Sequence, residues 1–240
     1  MNIFSDKLIS YYYIVTCITA KLLVASGFPI PTGENIEILD LIDPNFICIF
    51  KDERAKRAEA IGGIINNQAI IVGGSAWGMG LKNPGQNYII LGNNHCSNDN
   101  DDNNFKTFDQ RSNGDAGVVL NRNTFWITGN ETTEFIKLNQ PPFQGPKLPF
   151  LIHSHSMIQI DSKTVYIIGG SQNRQNGSNS KKSWIIKNPM EKFEIKEGPS
   201  LNESRSPCSC AKMKINGKVF IVVAGGGQSS EDDRFIGPTN

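Results

Sequence analysis

Five times along the chain an apolar run ends in glycine: residues 22–27 (LLVASG), 69–74 (AIIVGG), 125–129 (FWITG), 165–170 (VYIIGG) and 219–227 (VFIVVAGGG). The first glycines stand at 27, 73, 129, 169 and 225, so the unit recurs at intervals of 46, 56, 40 and 56 residues. Short runs rich in Val, Ile and Phe and stopped by glycine read as strands rather than helices. Intervals this unequal suit strands joined by loops of varying length, not a solenoid whose units stack in strict register. With 23 Gly and 25 Asn, a fifth of the 240 residues favour turns, which leaves little room for long helices. The chain reads as all-β.

The flanks repeat too. A second apolar strand and a tight turn precede each later glycine strand: residues 60–65 before Asn66-Asn67, 157–160 before Asp161-Ser162, and 211–215 before Asn216-Gly217. Asn-Gly between apolar strands predicts a type I′ hairpin, because both central residues need positive φ. A third strand follows each polar loop (residues 35–41, 88–91, 133–138 and 183–187), and a fourth follows in some units (46–50, 105–108 and 193–195). Four antiparallel strands every 50 or so residues make one blade of a β-propeller.

Within that pattern, residues 163–199 carry Val-Tyr-Ile-Ile-Gly-Gly, then Ser-Trp-Ile-Ile-Lys-Asn-Pro, then Glu-Gly-Pro, with Arg205 nearby. This resembles a kelch repeat, with its Gly-Gly doublet after the second strand and its spaced Tyr and Trp, and it is similar to the divergent, often secreted kelch-like proteins of invertebrates. The likeness runs from Lys21 to Gly227; Gly129-Asn130 and Ala25-Ser26-Gly27 depart from the doublet. Kelch rings usually have six or seven blades. These strands suffice for a kelch-type propeller of about four to five, incomplete or permuted at its ends, with an open edge as a pairing liability if the ring does not close. The domain reading is residues 1–20 as a signal peptide or first strands, 21–227 as propeller, and 228–240 as a C-terminal tail.

Residues 8–20 (LISYYYIVTCITA) are too short to span a bilayer and match the core of a signal peptide, with a pair of strands as the alternative. Cleavage would leave Cys48, Cys96, Cys208 and Cys210, enough for up to two disulfides. Sequons begin at Asn130, Asn176 and Asn202. These features point to a secreted glycoprotein, with the cytoplasm as alternative. A net charge of +1 offers no basic footprint for nucleic acid.

Aligned on their turns, the repeats place His153 and His155 opposite Cys208 and Cys210, with Ala58 and Ala60, and Asn113 and Asp115, in the middle units. Residues i and i+2 face the same way, so the two His and two Cys are weak candidates for a metal site. Their one-residue spacing is tighter than familiar zinc motifs, and the reading is of no metal and no cofactor. Residues 97–104 (SNDNDDNN) fail as a calcium loop, lacking Gly at the sixth position and Glu at the twelfth. Residues 73–80 lack the Gly-Lys-Ser/Thr of a phosphate loop. No catalytic motif is present, nor the Tyr–Cys copper site of galactose oxidase.

The expectation is a non-enzymatic, monomeric kelch-like scaffold that binds a protein or glycan, without nucleic acid or a membrane span. Its contacts come from loops on one face (residues 75–86, 95–105 and 171–182), with Trp77, His95, Arg174 and His155 as binding candidates. The alternative is a propeller enzyme, galactose-oxidase-like or otherwise sugar-active, with a site in the central channel.

Overall fold

The computed structural model describes residues 14–18, 21–25, 35–40, 42–43, 45, 47–51, 60–66, 68–74, 87–91, 105–107, 115–138, 140–172, 179–229 and 235–236. Every element among them is a strand. β1 (Ile14–Ile18), β2 (Lys21–Ala25), β3 (Asn35–Asp40) and β4 (Ile47–Lys51) form blade I; β5 (Ile61–Ile65), β6 (Gln68–Val72), β7 (Asn87–Leu91) and β8 (Phe105–Lys106) form blade II. Blade III is β9 (Ala116–Asn121), β10 (Thr124–Gly129), β11 (Thr132–Lys137) and β12 (Phe143–Gln144). Blade IV is β13 (Ser156–Asp161), β14 (Thr164–Ile168), β15 (Ser183–Lys187) and β16 (Glu194–Glu197). β17 (Ser209–Ile215) pairs with β18 (Lys218–Ala224) as half-blade V, and β19 (Gln228–Ser229) with β20 (Phe235–Ile236) as a separate hairpin.

Each sheet is an antiparallel meander of consecutive strands, and the first strands β1, β5, β9, β13 and β17 lie side by side. That is the propeller arrangement, with the first strand of each blade innermost. Ile14–Ile18 lies inside the run read as a signal-peptide core and pairs in register with β2, Cys17 opposite Leu22. Within residues 1–20, Ile14–Ile18 are thus the described strand, paired with β2.

β10 is buried on both faces, which is why its sequence is dominated by bulky apolar residues. All six of its residues are buried. Phe125 and Ile127 turn to blade II, packing with Ile65, Ile70, Val72 and Ile136. Trp126, between them, turns the other way and joins Met157, Val165, Ile167, Trp184 and Ile186 of blade IV. The Phe125 ring fills space that exists only because Gly63 and Gly117 lack a Cβ; added carbons would stand 2.6 and 2.5 Å from it.

Blade V differs. Met213 pairs with Phe220 and Ala211 with Val222, and Met213, Ile215, Phe220 and Val222 are all 40–47% exposed. Lys212, on the opposite face, reaches blade IV and donates from Nζ to the Ile160 carbonyl at 3.2 Å. One face of the hairpin is therefore open to solvent, and the other is half-buried only at Cys210, Ile221 and Val223, with Lys214 and Val219 exposed. The same residue type should then carry unequal weight in the two places. Phe125→Ala is expected to cost about 3–5 kcal/mol, whereas Phe220→Ala should stay within about 1 kcal/mol of wild type. Urea titration of both variants checks this; equal losses would mean that the Phe220 face is covered in solution.

The turns follow their chemistry. Asn216 and Gly217 have φ of 49° and 78°, as a type I′ turn requires. In blade IV the turn is Ser162-Lys163, one residue later than the sequence suggests, because Asp161 pairs with Thr164 across a bulge.

Candidate functional site

The glycine doublets and the segments leading into the inner strands meet at one end of the propeller. Ile61, Ala116, Ser156 and Ser209 pair with Val72, Thr128, Ile168 and Ala224, the residues just before the glycines. The residues that precede them, Ala60, Asp115, His155 and Cys208, therefore occupy one equivalent position in successive blades. Two positions earlier, His153 bridges to Ser171 while Ser206 bridges to Gly227. This corrects the turn-based alignment: His155 matches Cys208, not Cys210, and His153 matches Ser206. The slip of two has two sources, the blade IV turn that falls one residue late and a β17 strand one residue longer than β13.

The doublets give these lead-in segments room. Gly169 and Gly170 have φ of +65° and +82°; a Cβ on the first would stand 2.7 Å from the Arg205 carbonyl oxygen, and on the second 2.6 Å from that of His153. Gly170 donates its N–H to the Arg205 carbonyl at 2.8 Å, and His153 and Ser171 exchange backbone bonds at 2.8 and 2.7 Å. Gly129 holds the corresponding place in blade III, where an added Cβ would fall 1.9 Å from Asp115 Oδ1.

His155 is buried, and its Nε2 lies 2.6 Å from Thr128 Oγ1. The Thr128 hydroxyl donates its single proton to Met157 Sδ at 3.0 Å, which leaves its oxygen to accept. The network thus assigns the proton of neutral His155 to Nε2 and leaves Nδ1 as a buried acceptor with no hydrogen-bond partner among the described residues. Burial, with His153 nearby as a second cause, pushes the ring down to about 3, so it stays neutral through the physiological range.

Among the described residues, Cys208 and Cys210 are free thiols. Cys208 Sγ stands 3.6 Å from the Ile168 carbonyl and 3.9 Å from Ser156 Oγ, while Ser156 donates to the Cys208 carbonyl. Burial pushes both thiols up, Cys210 to about 11, against the pull of the Ser156 hydroxyl. Arg205 ties two blades: Nη1 donates to the Gly225 carbonyl at 2.8 Å and Nη2 pairs with Glu203 Oε2 at 3.1 Å.

Among the sequence candidates, His155 is enclosed between Thr128 and Met157 rather than on the surface. Trp77, His95, Arg174 and Asn176 lie outside the described residues. Asn202 is exposed, and Asn130 is half-buried in the β10–β11 turn with φ +55°. Among the described residues, His153, His155, Cys208 and Cys210 do not gather with other His, Cys, Asp or Glu into a metal-holding group of three or more. Of the three proposed loops, residues 75–86, 95–104 and 173–178 lie outside the described residues. Thr128 and Ser156 were not singled out from the sequence; the matched blade position was the available signal.

The chain matches no protein-family profile by sequence and none of the curated proteins. By structure it is similar to a fungal alcohol oxidase of the AA5 family in complex with copper, with a TM-score of 0.68 and 11% identity, over 95% of this chain and 53% of the oxidase. It is also similar to YjhT, with a TM-score of 0.70 and 11% identity, over 90% of this chain and 72% of that one. This is a kelch-type propeller fold. The chain spans about half the length of the oxidase. The expectation of a non-enzymatic protein is overturned as an inference from fold, because an alcohol oxidase is built on a propeller that this chain overlays almost throughout. Among the described residues no three His, Cys, Asp or Glu side chains come together, and His155 Nε2 is bonded to Thr128.

Proposed function

We propose that this kelch-type propeller binds a protein or glycan partner through the segments at its doublet end, as a secreted, glycosylated and monomeric member of a group similar to the kelch-like proteins of invertebrates. The observation that carries the reading is how the base of the loop at residues 171–182 is held. Ser171 bridges both to His153 and to Asn179, and Asn179 Nδ2 donates to the Gly227 carbonyl of blade V at 2.7 Å. Ser180 N–H donates to the Gly170 carbonyl at 2.7 Å, and Leu201 N–H to the Lys181 carbonyl at 2.7 Å. A loop whose base is fixed to two neighbouring blades can present its tip at low entropic cost, which is what recognition from a scaffold needs.

The test replaces residues 172–178 by Asn-Gly, keeping the Ser171–Asn179 pair, and screens both proteins on an oligosaccharide array and a displayed-peptide library. The expected result is an unfolding midpoint within about 3 °C of wild type and ligand affinity at least about tenfold weaker. A ligand bound equally by both proteins, or none bound by wild type, would overturn the reading. Expression in a secretory host tests compartment separately, by a mass shift on deglycosylation.

A further inference from the structure

Cys208 and Cys210 are two residues apart where the chain enters β17, so an extended backbone turns them to one side. That side faces blade IV, as the Lys212 bond to Ile160 shows. Neither cysteine is in a disulfide among the described residues, and both are half-buried. Cys208 Sγ lies 3.9 Å from Ser156 Oγ, and the Cys210 side chain follows two residues on, at the first turn of the strand's alternation. The two side chains therefore leave the chain on the one side that faces the neighbouring inner strand.

Alternate Cα atoms of a strand are about 6.6 Å apart, at the outer limit of the roughly 4.4–6.8 Å that a disulfide spans. A direct S–S bond would have to draw the strand in. A cation bonded to both sulfurs at about 2.3 Å each holds them up to about 4.6 Å apart, without that contraction. We propose that Cys208 and Cys210 form a two-coordinate thiolate site for a soft monovalent d10 cation, the class of Cu(I) and Ag(I). Thiolates select soft ions. Zinc asks for four ligands, and among the described residues no third His, Cys, Asp or Glu joins the pair. Two thiols and one cation give a bis-thiolate complex of net charge minus one and two released protons, with no electron transferred. The Arg205 guanidinium acts on Cys208 and favours the negative charge.

Ag(I) added to the reduced full-length chain in chloride-free buffer is the probe. The first equivalent is expected to protect Cys208 and Cys210 together from iodoacetamide, read by peptide mass spectrometry, before Cys17, Cys48 or Cys96. Cys208→Ser and Cys210→Ser should each weaken silver binding by at least about a hundredfold in ligand competition. Protection of only one of the pair, earlier protection of the other cysteines, or wild-type affinity in either folded variant would overturn the site. The protection map uses the unaltered chain, so it decides the matter even where a variant does not fold. Silver binding is also separable from recognition by the loop at residues 171–182, which the Cys substitutions leave unchanged.

Discussion

Gly170→Ala is expected to destabilise the protein by about 3 kcal/mol, and Gly217→Ala by only about 1 kcal/mol. Both glycines have positive φ, +82° and +78°, so the backbone strain of an L side chain is common to them. Their surroundings differ. A methyl at 170 would meet the His153 carbonyl oxygen at 2.6 Å and His155 Cβ at 2.8 Å, whereas nothing lies within 4 Å at 217. The atoms crowded at 170 belong to the backbone and the root of a buried side chain, and cannot swing aside as a flexible tip would. For a chain of this size the loss at 170 corresponds to about 6–12 °C in the unfolding midpoint. Thermal melts of the two variants isolate the steric part. Equal midpoints would show that the doublet is kept for its backbone conformation alone, and that the lead-in segment can retreat.

The second large effect is on acid stability. His155 takes up a proton at its ordinary 6.5 in the unfolded chain but only at about 3 in the native one, mainly because of burial. A lowered native value means that stability is complete above 6.5 and is lost as pH falls towards 3. The loss from this ring alone is about 3 kcal/mol at pH 4 and approaches about 5 kcal/mol below pH 3. Asp161 also loses stability on acidification, since the Lys163 N–H holds its carboxyl below 3.8, but it does so at lower pH. His155→Gln keeps a neutral polar group at the site and should flatten the wild-type decline between pH 6.5 and 4. Urea titrations across that range give the comparison, and ring nitrogen shifts at pH 5 should report the neutral Nε2–H form. An imidazole that titrates near 6.5 in the native protein, or the same decline in the variant, would sink the assignment.

The blade was legible because its signals are local. Short apolar runs, Asn-Gly turns and terminal glycines act over a few residues, and β5, β6, β13, β14, β17 and β18 form close to where those signals stand. The meeting of strands was harder to read. A bulge before Asp161 inserts one residue without changing the hydrophobic pattern, so the turn gave no true origin for matching His155 with its counterpart. Nor does apolar content reveal what covers it: Phe125 and Phe220 sit in similar runs, yet one is sealed between two blades and the other is 45% exposed. For His155, sequence indicated a shared position and could not tell a ring offered to a ligand from one enclosed by Thr128 and Met157.

In every described sheet the strands are consecutive in the chain, and no blade borrows a strand from a distant part of it. Each described four-stranded sheet is therefore completed within one stretch of chain and meets its neighbours through apolar faces, lead-in contacts and a few side-chain hydrogen bonds such as that of Lys212 to Ile160. A gene encoding such a chain can duplicate or delete one stretch without rewiring any remaining sheet. What must then be renegotiated is the fit between two faces, a matter of side-chain volume rather than topology. Propellers of different circumference are thus separated by whole-unit steps in sequence length, and selection after each step acts mainly on the residues at a single seam.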